Sequence, residues 1–322
     1  MNKNIRKSSK FILSSLSLNF LFYFSEMNIV SSENHSFDEC EVIDVMEWSV
    51  KCPAKINLFL FVDGKREDGY HEILSLVDTI SLCDEIVISE SQENEVYFDS
   101  LWDIPEGNTV EKTIKLLSVE IGRSFKVVVK KRIPPGSGLG GASSDAGSII
   151  REFMRKNLID FSTAFSIAEK IGGDVPLFLF NPPTLIYGKG ERVKEVKLVG
   201  REKVIFVVVW PNIISSTPLV YSEFDRIYGG DIKKIDFSIL SQKEFSFDRY
   251  IGVNDLETAF LSLYKAHAIK DVLTSFGRFY LTGSGSAYFS IFFDEIEADF
   301  VFRSLKKNFQ FVFMAKPFEF SE

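Results

Sequence analysis

The run Lys130-Lys131-Arg132-Ile133-Pro134-Pro135-Gly136-Ser137-Gly138-Leu139-Gly140-Gly141-Ala142-Ser143-Ser144-Asp145 lies between two segments of different periodicity. Upstream, Phe125-Lys126-Val127-Val128-Val129 is apolar and rich in β-branched residues, and reads as a strand. Downstream, Ala146, Ile149, Ile150, Phe153 and Met154 recur at helical spacing, and Arg155 and Lys156 suit the negative end of that helix. A strand, a glycine-rich loop and a helix in this order aim unpaired backbone N–H groups and a helix N-terminus at one point. Glycines let the backbone approach a ligand closely, and the resulting concavity suits an anion, above all a phosphate. Ser143 and Ser144 add hydroxyls at the helix start, where phosphate oxygens or a metal would sit.

The common phosphate loops fit poorly. Gly136 to Gly141 has the spacing of a Walker A loop, but Ala142 stands where its lysine belongs. Gly136, Gly138 and Gly141 also satisfy GxGxxG, yet Pro134-Pro135 separate the strand from the first glycine. Asp160, the acid nearest the expected distance, follows only Leu-Ile rather than a strand. A glycine turn without a ligand is the remaining alternative.

A chain of 322 residues with 45% hydrophobic content is ample for two domains. Its net charge of −8 argues against nucleic acid or an anionic membrane as partner. An anionic substrate would need local positive charge, and Lys130-Lys131-Arg132 is the densest candidate, unless it is a solvated strand end. The three cysteines, Cys40, Cys52 and Cys83, lack CxxC spacing, which favours a reducing compartment over zinc or a disulfide framework.

Residues 1–46 differ from the rest. Lys3, Arg6, Lys7 and Lys10 precede an uncharged run, Phe11 to Phe24, that is too short to span a bilayer comfortably. No small-x-small cleavage site follows, and Met27 and Met46 offer later starts, so the segment reads as a targeting sequence, a disordered extension or an over-called start. The expected organisation is this extension, a domain over 47–200 and a second over 201–322.

From Trp48 the chain reads as a folded domain. Pro53 to Val62 is a strand buried on both faces, with Lys55 and Asn57 on one side of it. A lysine there needs a partner, an anion or a path to water. A polar turn from Gly64 ends in Tyr70 and His71, rings that can stack on a base or anchor the loop. Strands near Glu85–Ser89 and Glu95–Phe98 follow. Asn108 and Glu111 cap a helix with Val110, Ile114 and Leu117 inward, ended by Gly122. A helix over Ser162–Ile171 closes at Gly172-Gly173. Asp174 then precedes the apolar run Val175–Phe180, as a partly desolvated carboxylate or a turn cap. Lys203–Trp210 is a buried strand, and Ser215–Tyr221 leads into a helix. Asn254-Asp255-Leu256-Glu257 opens a long helix with Leu256, Phe260, Leu263 and Tyr264 inward. Thr282-Gly283-Ser284-Gly285-Ser286-Ala287 is a second glycine-rich hairpin between strands. A helix from Glu295 and a strand at Phe311–Met314 close the chain.

Taken together, these residues resemble the GHMP kinase superfamily, small-molecule kinases without a Walker A loop. The resemblance runs from about Trp48 to the end and rests on Pro-Ala-Lys-Ile-Asn-Leu (53–58), Pro-Pro-Gly-Ser-Gly-Leu-Gly-Gly-Ala-Ser-Ser (134–144) and Leu-Thr-Gly-Ser-Gly-Ser-Ala (281–287). Asp68-Gly69-Tyr70-His71, Gly172-Gly173-Asp174-Val175-Pro176 and Asn254-Asp255-Leu256-Glu257 are similar to the branch that phosphorylates 4-diphosphocytidyl-2-C-methyl-D-erythritol on the non-mevalonate route to isoprenoid precursors.

The resemblance implies an α/β (α+β) fold, with a ribosomal-protein-S5-type N-terminal domain and a ferredoxin-like C-terminal domain. It makes Asp174 the general base for the substrate's C2 hydroxyl, with Lys55 orienting Asp174 and neutralising charge. It assigns Pro134, Pro135, Gly136, Ser137, Gly138, Leu139, Gly140, Gly141, Ala142, Ser143 and Ser144 to ATP, with Mg²⁺ bridging phosphate oxygens. Asn57, Tyr70, His71, Thr217 and Tyr221 fall at cytidine or substrate positions. Tyr221 departs from an expected phenylalanine, and Asp145 from the commoner asparagine. The same resemblance implies a monomer or homodimer in the cytoplasm, or in a plastid-type organelle if residues 1–46 are a targeting sequence. A kinase of mevalonate, homoserine or a sugar is the nearest rival, and a non-catalytic ligand-binding regulator is the rival from another class.

Overall fold

The computed structural model describes residues 47–229, 235–247 and 251–320. The extension over residues 1–46, Cys40 included, lies outside the described residues. Among those described, no helix is long and apolar enough to cross a membrane.

Two long antiparallel strands form the frame. β1 (Glu47–Lys65) pairs along its length with β2 (His71–Ser91), and from Cys52 to Leu60 every residue of β1 is buried. The other edge of β2 is shared by β4 (Ser124–Lys130) at one end and β5 (Thr184–Gly188) at the other. β3 (Glu95–Asp99) runs parallel to β4, and β6 (Arg192–Glu195) extends the sheet beyond β5.

Only the Glu85–Ser89 part of β2 is legible as a strand in the sequence. Upstream, Ser75, Asp78, Thr79 and Asp84 are buried polar residues that spoil the apolar pattern. Their partners lie elsewhere in the chain: Ser75 donates to the Phe59 carbonyl, and Asp78 accepts from Arg201 at 2.9 and 3.0 Å.

Three helices cover one face of the sheet. α1 (Thr109–Ile121) starts where Asn108 Oδ1 accepts from the Glu111 amide and stops at Gly122, with φ 74°. α2 (Gly141–Arg155) follows the glycine loop, and Asp160 caps α3 (Phe161–Ile171). Their apolar faces meet Trp48, Ile86, Ile88 and Val127 in one core. The opposite face of β1 and β2 presents Ile56, Leu58, Leu74 and Leu76.

A second sheet closes over that face. Its order is β10 (Tyr280–Leu281), β11 (Tyr288–Phe292), β8 (Ile205–Trp210) and β12 (Phe311–Ala315), antiparallel throughout. With α4 (Thr217–Tyr228) before the β10–β11 hairpin and α7 (Glu295–Leu305) after it, this is the βαββαβ arrangement of a ferredoxin-like layer. β7 (Lys197–Val199) and β9 (Glu244–Ser246) form a small parallel pair beside it. The sheets change near residue 200, but Phe206, Val208 and Trp210 of β8 share one apolar cluster with Ile56 and Leu74.

The expected long helix after Asn254 is two short ones. α5 (Glu257–Tyr264) ends where Lys265 takes a left-handed φ of 53°, and α6 (His267–Thr274) starts after the buried Ala266. Leu256 and Phe260 are buried as expected, whereas Leu263 and Tyr264 are half-buried. Asn254 and Asp255 act as struts. Asn254 Nδ2 donates to the carbonyls of Leu281 and Gly283, and Asp255 Oδ2 accepts from the Val62 amide.

Candidate active site

The two glycine loops interlock. The Ala287 amide donates to the Ser137 carbonyl at 2.8 Å, and the Ser215 amide donates to the Gly136 carbonyl at 2.8 Å. Gly138, with φ 78°, leaves no room for a side chain, because a Cβ there would stand 2.3 Å from the Thr282 carbonyl oxygen. β1 crosses beneath, its Lys55 amide donating to the Leu139 carbonyl at 2.9 Å.

These contacts deliver Lys55 to the loop. Its ammonium is buried and donates to Asn57 Oδ1 at 2.6 Å. Burial pulls its pKa down, and the charge of Asp174 works in the opposite sense. The ammonium forms no ion pair with Asp174, and the two charges act on each other at longer range. Half-buried Asp174 follows Gly172-Gly173, and the turn formed as the Val175 amide donates to the Gly172 carbonyl sets its direction. Opposite it, a Cβ on Gly190 would lie 3.7 Å from Asp174 Oδ1.

Asn57 is mostly spent on the protein. Its Oδ1 accepts from Lys55, its Nδ2 donates to Ser75, and its amide donates to Thr282 Oγ1, which leaves one side-chain N–H for a ligand.

A cavity of about 890 Å³ joins these groups to Tyr70, His71, Thr217 and Tyr221. That volume is in the upper part of the range for small-molecule sites. Tyr70 is exposed beneath the Lys189 ammonium, which sits 5.0 Å from its ring centroid. His71 Nε2 lies 2.7 Å from Asp225 Oδ1. Thr217 Oγ1 and Ser284 Oγ share a hydrogen bond of 2.8 Å, which ties the start of α4 to the second glycine loop. Burial pushes the Tyr221 hydroxyl pKa up, and the negative charge of Asp174 adds to the shift.

The GHMP kinases N-terminal domain model matches residues 108–182. The 4-diphosphocytidyl-2-C-methyl-D-erythritol kinase of Thermotoga maritima is 35% identical over 249 residues, covering 74% of this chain and 90% of the relative. The enzyme of the same name from Pasteurella multocida is 31% identical over 274 residues, covering 82% of this chain and 88% of the relative. The chain belongs to the 4-diphosphocytidyl-2-C-methyl-D-erythritol kinase family. A crystal structure of a 4-(cytidine 5'-diphospho)-2C-methyl-D-erythritol kinase superposes with a TM-score of 0.67 at 26% identity, covering 84% of this chain and 99% of the other. A mevalonate kinase structure superposes at 0.62 with 18% identity, a likeness of fold alone.

For this member of the 4-diphosphocytidyl-2-C-methyl-D-erythritol kinase family, nine of the eleven loop residues assigned to ATP border the cavity. Leu139 and Ser144 do not. Leu139 is wholly buried, and Ser144 Oγ donates to the Pro53 carbonyl at 2.7 Å, so its hydroxyl holds β1 rather than a phosphate. The basic triplet also departs from expectation. Lys131 is buried between Asp84 and Asp145, both of which it pairs with, and Arg132 pairs with Glu85 at 3.2 Å. Two carboxylates neutralise Lys131, so it is not a free cation beside the loop. Asp145 Oδ1 has no hydrogen-bond partner, and burial together with Asp84 pushes that carboxyl well above its usual range, against the pull of Lys131.

Sequence reasoning missed Lys189, Asp225 and the segment containing Trp102 and Asn108, all of which border the cavity. Lys189 between Gly188 and Gly190, and Asn108 after Pro105-Glu106-Gly107, carried a turn signal that could have drawn attention, whereas Asp225 carried none, and the fold brings all of them to the cavity.

The glycine interlock is testable. Gly138→Ala must place a left-handed residue at about 1–2 kcal/mol and overlap a carbonyl at about 1–3 kcal/mol more. Gly107→Ala, at φ 66° with nothing within 4 Å of the new Cβ, should incur only the first cost. Urea unfolding of the two variants measures the difference, and equal losses would show that the two loops do not constrain each other.

Proposed function

We propose that this chain transfers the γ-phosphoryl group of ATP to the C2 hydroxyl of 4-diphosphocytidyl-2-C-methyl-D-erythritol. One observation carries the reading: Lys55, Asp174 and the donor-rich glycine loop border the same cavity as Tyr70, His71 and Tyr221. Phosphoryl transfer asks mainly for positioning and charge stabilisation. In this reading the loop amides and the N-terminus of α2 hold the ATP phosphates. Asp174 accepts the proton as the hydroxyl attacks, and Lys55 offsets negative charge near the transferring group. Tyr70 and Tyr221 offer faces for the pyrimidine, and Lys189 adds positive charge for the substrate diphosphate.

Among the described residues, no group of three or more His, Cys, Asp or Glu side chains could hold a metal. Mg²⁺ is commonly bound through one or two protein oxygens plus substrate phosphates, and in this reading it comes in on the nucleotide. Ser143, at the start of α2, borders the cavity and would supply one such oxygen. When bound, the ion would neutralise charge on the phosphate oxygens.

ATP consumption measured with the cytidine substrate, mevalonate, homoserine and a sugar separates the readings. Turnover confined to the cytidine substrate is expected. Preference for another alcohol would replace the substrate, and binding without any turnover would favour a regulator.

A further inference from the structure

α4 presents three side chains to His71 from one face. Residues at i, i+3 and i+4 on a helix are neighbours, and here they are Tyr221, Phe224 and Asp225. The Tyr221 ring lies 5.0 Å from the His71 ring at 31°, and Phe224 meets it edge-on at 6.0 Å. These two contacts set the plane of the imidazole. Asp225 sets its direction, with Oδ1 2.7 Å from Nε2, while the other carboxylate oxygen faces the Lys65 ammonium at 3.5 Å.

A carboxylate facing an ammonium is ionised and has no proton to donate, so at 2.7 Å Nε2 carries the proton of the hydrogen bond. In the neutral ring that leaves Nδ1 as a lone-pair acceptor. His71 is nearly buried, and it borders the cavity.

We infer that Asp225 is a positioning residue that fixes the tautomer of His71 and thereby favours a pyrimidine bearing an exocyclic amino group, as in cytosine, over one bearing a carbonyl there, as in uracil. The inference rests on the functional reading above, because it takes the base to lie against His71. The cytosine amino group donates to the Nδ1 lone pair. The uracil oxygen at the same place meets that lone pair acceptor to acceptor, and an unpaired, desolvated polar contact of this kind is strongly discriminating.

Asp225→Asn in the full chain tests it. The amide can accept from Nε2 or donate to it, which frees the ring to take either tautomer. The chain has three histidines, so ¹⁵N-imidazole spectra can be assigned with His71→Asn as the reference. The expected wild-type spectrum shows His71 protonated on Nε2 alone, and the variant spectrum shows a mixture. In parallel, the ratio of kcat/KM for the cytidine substrate to that for its uridine analogue should fall by about tenfold, with the loss expressed mainly in KM. A wild-type His71 protonated on Nδ1 alone, or an active variant that slows both substrates by the same factor, would overturn the inference. Failure of the wild-type chain to turn over the cytidine substrate would instead overturn the functional reading, and the choice of base with it.

Discussion

Asp174→Asn should retain binding of ATP and the cytidine substrate while losing about 10²–10⁴-fold in turnover, the range that positioned acid–base help supplies. The amide keeps the shape of the side chain but cannot take a proton. Asp174 follows a turn closed by a backbone hydrogen bond from Val175 to Gly172, and it is not paired with Lys55, so the substitution removes no ion pair from that lysine. The loss should therefore appear in kcat and not in KM. Steady-state kinetics with both substrates, beside ATP affinity by calorimetry, reads the split. A kcat reduced only a few-fold would remove Asp174 from the role of base. Lys55→Ala, which removes an ammonium held by Asn57 Oδ1, should also slow the chemical step, and a rise in KM alone would make Lys55 a binding residue instead.

The second large effect lies away from the cavity. Arg201→Met should destabilise the fold by about 3–5 kcal/mol at neutral pH, the usual consequence of leaving a buried charge without its partner. Asp78 is fully buried, and the Arg201 guanidinium reaches both of its carboxylate oxygens as well as the Phe318 carbonyl at 2.7 Å. The same arginine thus anchors the C-terminal segment, whose Phe318 amide donates to the Thr79 carbonyl.

Burial raises the Asp78 carboxyl above its ordinary value, and Arg201 opposes that rise. A carboxyl raised in the folded state contributes stability that is full below the unfolded pKa and is lost as pH rises through the folded pKa. Without Arg201 the rise is unopposed. The penalty in the variant should therefore be largest at neutral pH and shrink as pH falls back into the ordinary carboxylate range. Urea unfolding at neutral and acidic pH measures it. A loss below about 1 kcal/mol at neutral pH, the level of an exposed pair, or one independent of pH, would contradict the account.

What could be read in advance was what is decided within a few residues. The strand–glycine–helix passage from Ser124 to Arg155 is one case, because a β-branched run, left-handed glycines and a helical stripe each carry their own local signature. The α1 boundaries are another, since Asn108 and Gly122 satisfy end groups of their own helix. The second glycine hairpin and α7, capped by Asp294, belong with them. The candidate residues Lys55, Asp174, Tyr70, His71, Thr217 and Tyr221 stood out because they occupy recognisable motifs, and they do border one cavity.

Only the tertiary structure decided the rest. Lys131 looked like a free cation, but Asp84, 47 residues away, helps neutralise it. The first half of β2 did not look like a strand, because Asp78 is tolerated there through Arg201, 123 residues away. Nothing in the sequence singled out Asp225, which the fold sets against His71, 154 residues distant. Ser144 looked like a phosphate ligand until its hydroxyl proved to be bonded to β1. The physical reason is the same in each case. Backbone preference and end-capping are settled by neighbours along the chain. The state of a buried polar group depends on desolvation and on whichever partner the fold brings to it, and the chain near that group carries no trace of the partner.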